Sequence, residues 1–152
     1  MPSNHKRILI AVDASEDADQ VLGGALRLHP RGSESFHVVT VIPPMMGGIS
    51  GMDGASFAAT WPLQEMEETI RKEIGEAVRE RVARFGIAPE RVSILYGRPA
   101  SEIHAQAESL QADLIVIGSH GRKGVPQLML GSTANAVLHG APCDVLTVRI
   151  RD

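Results

Sequence analysis

The chain is poor in aromatic residues, with one Trp, one Tyr and three Phe among 152 positions. So few rings give no stacking platform for single-stranded bases, which are held on successive aromatic faces. An excess of positive charge is also missing. Fifteen Lys and Arg stand against 18 Asp and Glu, for a net charge of −3 with six histidines neutral. Such a chain has no electrostatic grip on nucleic acid or anionic lipid, so neither is expected as a partner. The single cysteine, Cys143, excludes an internal disulfide framework and a multi-cysteine zinc site. It lies in an apolar stretch and reads as a small core residue rather than a redox centre. No apolar run approaches the roughly 20 residues of a membrane span. The polar opening Met1–Arg7 leads into a run too short for a secretory leader, and the expected compartment is the cytoplasm.

What remains is ordinary globular composition, 43% hydrophobic and 22% charged, at a length that suits one domain over residues 1–152. Ile8–Val12 is a continuous aliphatic run ended by Asp13, the pattern of a strand buried on both faces. Asp13-Ala14-Ser15-Glu16-Asp17 has the cap and acid residues of a helix start. Ala18, Val21, Leu22, Ala25, Leu26 and His29 then recur at helical spacing until Pro30-Arg31-Gly32 stops them. Phe36–Ile42 is a second strand, closed by Pro43-Pro44. Met45–Ala59, rich in Gly, Met and Ser without a period, reads as a long loop.

Leu63, Met66, Ile70, Ile74, Val78, Val82 and Phe85 line one face of a long amphipathic helix, with Gly86 its stop. Glu65, Glu67, Glu68, Arg71, Lys72, Arg79 and Arg81 read as its solvated face. Val92–Tyr96 is a third strand, Ala100–Leu110 a helix after the Gly97-Arg98-Pro99 turn, and Asp113–Ile117 a fourth strand. Ser132–Leu138 is a short helix, with Ser132 or Thr133 as its cap and Gly140 behind it. Asp144–Ile150 is the fifth strand. Strands alternating with helices predict an α/β sandwich around a parallel sheet.

In such a sheet a ligand binds beyond the carboxyl ends of the strands, where the strand order reverses. Two strand ends are equipped for this. The first ends in the carboxylate Asp13. The fourth runs into Gly118-Ser119-His120-Gly121-Arg122-Lys123-Gly124. Glycines 118 and 121 are expected to let backbone N–H groups approach an anion, and Arg122 and Lys123 add positive charge. Gly131-Ser132-Thr133 then opens a helix, whose first N–H groups are unpaired. These are the parts of a triphosphate cradle. The spacing is neither that of a P-loop nor that of a dinucleotide fingerprint.

Gly118-x2-Gly121-x9-Gly131-Ser132, with the opening Ile8–Ser15 and the closing Ala141-Pro142-Cys143, resembles the ATP-binding universal stress proteins over almost the whole chain. The resemblance implies a three-layer, Rossmann-like sandwich of the adenine nucleotide alpha hydrolase-like type, with a five-stranded parallel sheet in the order 3-2-1-4-5. It implies that Ala11 and Val41 line an adenine pocket and that Asp13 meets ribose or base. Gly118, His120, Gly121, Gly131, Ser132 and Thr133 would hold ribose and phosphates, bridged by Mg²⁺ or Mn²⁺. It also implies a homodimer through the last strand, where Val145, Leu146, Val148 and Ile150 supply apolar content. Asp144 departs from the proline usual there, at the expected dimer edge.

The function expected is that of a nucleotide-dependent stress sensor or regulator with an unidentified protein partner. Hydrolysis is expected to be slow at most, because the cradle comes with no evident catalytic base. His120 reads as a ligand contact and His139 as structural, and no residue is assigned as catalytic. A nucleotide-independent dimeric module is the alternative. An adenylate-forming enzyme is less favoured, since neither a His-x-Gly-His run nor a Ser-Gly-Gly loop after the first strand is present.

Overall fold

The computed structural model describes residues 5–30, 35–44, 63–120 and 130–151. Five strands form one parallel sheet: β1 (Ile8–Ala11), β2 (Phe36–Ile42), β3 (Val92–Tyr96), β4 (Leu114–Gly118) and β5 (Asp144–Val148). Their order is β3-β2-β1-β4-β5. Ile8 pairs with Phe36 on one side and Leu114 on the other, which puts β1 at the centre. The helices are α1 (Asp17–Leu28), α2 (Leu63–Ala83), α3 (Pro99–Leu110) and α4 (Ser132–Leu138), with a short 3-10 turn over Pro89–Arg91 before β3.

Side chains alternate across a strand, so a continuous apolar run feeds two cores. Ile8 and Ile10 join Val21, Leu22, Phe36, Val38, Val78, Val82 and Val116 under α1 and α2. Leu9 and Ala11 join Val39, Ile103, Ala107, Ile115, Ile117 and Val137 under α3 and α4. Each fully buried aliphatic or aromatic side chain contributes about 1.5–3 kcal/mol, so this two-faced packing holds the sheet.

Several local readings are refined. Arg81 does not belong to a purely solvated face, because its guanidinium lies 2.9 Å from Asp19 Oδ1 and ties α2 to α1. β5 stops at Val148 rather than Ile150, since the Ile150 N–H turns to the Ser119 hydroxyl at 3.0 Å. Cys143 is only part-buried, packed against the α3–α4 core. Gly86 follows α2 at φ +76°, a left-handed conformation that glycine adopts without penalty. Asp113 does more than open β4. Its carboxylate accepts the Lys6 and Arg7 N–H groups at 2.8 and 3.1 Å and so clamps the amino end of β1. The Met45–Ala59 segment, Arg31 and Gly32 lie outside the described residues. Among the described residues, no helix is long and apolar enough to cross a membrane.

Candidate functional site

Strands β1 and β4 are neighbours whose connections leave in opposite directions, which leaves a crevice beyond their carboxyl ends. A cleft of about 490 Å³ occupies this place. It falls within the usual size of small-molecule sites. One wall is apolar: Ala11, Val39, Val41, Ile103 and Ile117, with Pro43 and Pro99 at its edge. Opposite are Gly118, His120, Gly131, Ser132 and Thr133, while Asp13 and Asp17 stand on the β1–α1 side. Eight of the residues singled out from sequence, Ala11, Asp13, Val41, Gly118, His120, Gly131, Ser132 and Thr133, therefore share one cavity. Gly121 and Arg122 lie outside the described residues, as do Lys123 and Gly124.

Asp13 is held by a local turn. Its Oδ1 accepts the Ser15 N–H at 2.9 Å and also the Ser15 hydroxyl, while the residue stays exposed at the mouth. The turn reading and the site reading thus coexist, because the turn fixes the carboxylate at the strand end. The α1 side is acidic, so an anionic group entering the cleft is driven toward the β4–α4 side.

Two glycines have structural reasons beside those the sequence suggested. Gly118 has an ordinary φ, and a Cβ there would lie 3.1–3.2 Å from Ile150 and Val21. Its smallness thus serves the packing under α1, while the residue also lines the cleft. A Cβ on Gly131 would meet the His120 Cα and the Ser119 carbonyl oxygen, each at 3.0 Å. Gly131 also donates its N–H to Ser119 O at 2.6 Å, so the two ends of the 118–131 connection are stapled together. Gly131, not Ser132 or Thr133, is the N-cap of α4, with no side-chain cap bond. Its carbonyl accepts the Asn135 N–H at 2.9 Å. The close approach to His120 crowds any side chain at the cap, and both hydroxyl residues stand in the first turn, lining the cleft.

The scaffold behind the site is bonded from several sides. His104 Nε2 on α3 donates to Val137 O at 2.7 Å and fixes α4 against α3. His139 Nδ1 lies 2.8 Å from Asn135 O and closes the last turn of α4, a structural role. Sequence reasoning missed Ser119, which bonds β5, the C-terminal residues and the loop exit. It also missed Val39, Pro43, Pro99 and Ile103, which reach the cleft from β2, its exit and α3. The signal for Ser119 was its place between Gly118 and His120. The others carried no local signal.

The chain is a doubly wound α/β protein with a cleft at the switch point of its sheet. It belongs to the universal stress protein family, whose sequence model matches residues 4–149. It is 34% identical to universal stress protein A homolog 1 of Coxiella burnetii, over 98% of this chain and 99% of that protein. Among solved structures it is similar to the universal stress protein UspA from Lactobacillus plantarum, with a TM-score of 0.69 at 22% identity over 97% of this chain and all of that one. A universal stress protein in complex with cAMP matches with a TM-score of 0.58 at 19% identity, over 96% of this chain and 98% of that one.

Proposed function

We propose that the cleft binds an adenine nucleotide, ATP with Mg²⁺ or Mn²⁺, and that its occupancy makes the protein a nucleotide-dependent sensor or regulator in a stress response. The observation that carries this reading is the gathering of Asp13, His120, Gly131, Ser132 and Thr133 around one half-apolar cleft at the β1/β4 switch point. Ala11, Val39, Val41 and Ile103 suit the flat apolar face of a base. Asp13 offers a carboxylate to ribose hydroxyls. The phosphates fit the β4–α4 side, away from Asp13 and Asp17, where hydroxyls, an imidazole and unpaired first-turn N–H groups meet them. Among the described residues, no group of three His, Cys, Asp or Glu could hold a metal ion. A divalent cation would be held through the phosphates, whose charge it neutralises. The relative in complex with cAMP supports an adenine nucleotide as the ligand class.

Hydrolysis is slow at most in this reading, and the output is a change of state read by a protein partner in the cytoplasm. A homodimer would use the open edge of β5. Val148 and Ile150 already face the protein's own core, so the edge would rely on the half-exposed Val145 and Leu146. Exposed Asp144 beside it lies 3.2 Å from His5 Nε2.

The test is calorimetric titration of Mg-ATP into nucleotide-free protein, beside Asp13→Ala. Wild type should bind and the variant, exposed enough to fold normally, should bind about tenfold more weakly, the worth of one charge-assisted hydrogen bond. A wild type that binds no adenine nucleotide overturns the reading and favours a nucleotide-independent interaction module.

A further inference from the structure

We propose that Ser119 is a positioning residue that couples the cleft to a strap formed by the C-terminal residues 148–151, so that ligand occupancy is felt beyond the edge strand. The inference rests on the nucleotide reading above and adds to it a route by which binding leaves the site.

Four contacts converge on Ser119. Its N–H donates to Val148 O at 2.8 Å, and its carbonyl accepts the Gly131 N–H at 2.6 Å. Its hydroxyl oxygen accepts the Ile150 N–H at 3.0 Å and lies 3.2 Å from His120 Nδ1. One residue thereby touches β5, the strap, the exit of the 118–131 connection and a side chain lining the cleft. The hydroxyl has one proton to give, and His120 Nδ1 can receive it. The direction of this bond follows the imidazole tautomer, and in either direction it holds the His120 ring at the cleft.

The strap is pinned at its far end as well. Gln20 Nε2 donates to Arg151 O at 2.7 Å, and the Arg151 N–H donates back to Gln20 Oε1 at 2.8 Å. Gln20 lies on α1 one turn after Asp17, and Asp17, Ala18 and Val21 of that helix line the cleft. Between the two pins, Ile150 is 4% exposed, lines the cleft and fills the space that the missing Cβ of Gly118 leaves. A ligand that fixes His120 and the 118–131 ends therefore fixes Ser119. Ser119 in turn holds the Ile150 amide, and the strap continues directly from the edge strand β5.

The experiment uses the full chain with Mg-ATP as the probe, and compares wild type, Ser119→Ala, Ser119→Thr and Gln20→Ala. Calorimetry gives the affinity, and hydrogen exchange at the Ile150 and Arg151 amides gives the coupling. In wild type, nucleotide should slow exchange at both amides. Ser119→Ala should abolish that slowing and weaken binding about fivefold to tenfold, the worth of one net hydrogen bond. Ser119→Thr, which keeps the hydroxyl, should restore both. Gln20→Ala lies outside the cleft lining and should cut the slowing at Arg151, which gives a second reading should Ser119→Ala fold poorly. A Ser119→Ala protein that binds with wild-type affinity and still protects Ile150 overturns the coupling while leaving the nucleotide reading intact. A wild type that binds no nucleotide overturns both.

Discussion

The two ends of the sheet are built from the same five strands and are closed in opposite ways. At the amino end the strand starts are closed by the chain's own groups. Asp113 receives the backbone N–H groups of Lys6 and Arg7, and buried His29 stands edge-on between the rings of His5 and Phe36 at 5.7 and 6.4 Å. At the carboxyl end the connections from the central strands diverge, and Asp13, Ser132 and Thr133 remain exposed around a cleft. One end fixes β1 against β4, and the other uses that fixed pair as the floor of a site. Substitutions at the first should therefore cost stability with little direct effect on a ligand, and substitutions at the second the reverse.

The largest expected effect lies at the closed end. Phe36 is fully buried beneath α1 and α2, so Phe36→Ala should cost about 3–5 kcal/mol in urea unfolding. A loss below about 1 kcal/mol would mean that this end is not the anchor it is taken for. Asp113→Ala should cost less, about 1–2 kcal/mol, because it removes two N–H acceptors at a part-exposed position.

The acid dependence of that pair has a sign. Burial raises the Asp113 pKa, but the bonds from Lys6 and Arg7, with the nearby His5, outweigh it and hold the carboxyl below its ordinary value. Such a group stabilises the fold fully above the ordinary carboxylate pKa, and the benefit is lost as pH falls through the depressed value. The gap between wild type and Asp113→Ala should then shrink from about pH 5 downward.

The histidines act in a higher window. Burial lowers the His29 pKa, assisted by His5 and opposed by Asp113, and burial lowers that of His37, assisted by Arg91 and Arg7. The unfolded chain then binds more protons than the native one around pH 6, so stability should fall as pH drops from about 7. His29→Leu should flatten part of that slope, and the His37 share should remain. A slope unchanged in His29→Leu would remove His29 from the account.

Features written in one stretch of sequence were legible, and those made across the fold were not. Phe36–Ile42, Val92–Tyr96 and Ser132–Leu138 have the observed boundaries because an apolar period meets a Pro or Gly at its end. The strand order followed from the family resemblance, and eight of the ten binding residues singled out meet at one cleft. By contrast, Arg81 finds Asp19 on another helix, Asp113 finds Lys6 and Arg7 more than 100 residues away, and Ser119 finds Ile150. No period or turn signal in any one stretch encodes such a partner. Gly118 carries a demand of the same kind beside its place in the cleft lining. Its smallness answers to Ile150 and Val21, which approach from elsewhere in the chain.

The turn after α2, at the closed end, gives a smaller effect. An added Cβ at Gly86 meets nothing within 4 Å, so Gly86→Ala should cost only the left-handed backbone penalty, about 1–2 kcal/mol by chemical denaturation. A neutral result would mean that this turn relaxes to negative φ once the side chain is present.

The smallest effect on stability belongs at the open end, and it separates two roles for one residue. A serine that caps a helix loses about 1 kcal/mol when replaced by alanine. Ser132 does not cap α4. Gly131 holds that position, its carbonyl takes the first helical bond, and no side chain closes the turn. Ser132 is exposed in the first turn and lines the cleft. Ser132→Ala should then leave unfolding within about 0.5 kcal/mol of wild type, as for an ordinary surface change. Its affinity for Mg-ATP should fall by about fivefold, the worth of one net hydrogen bond. A stability loss near 1 kcal/mol with unchanged affinity would return Ser132 to the helix and take it out of the site.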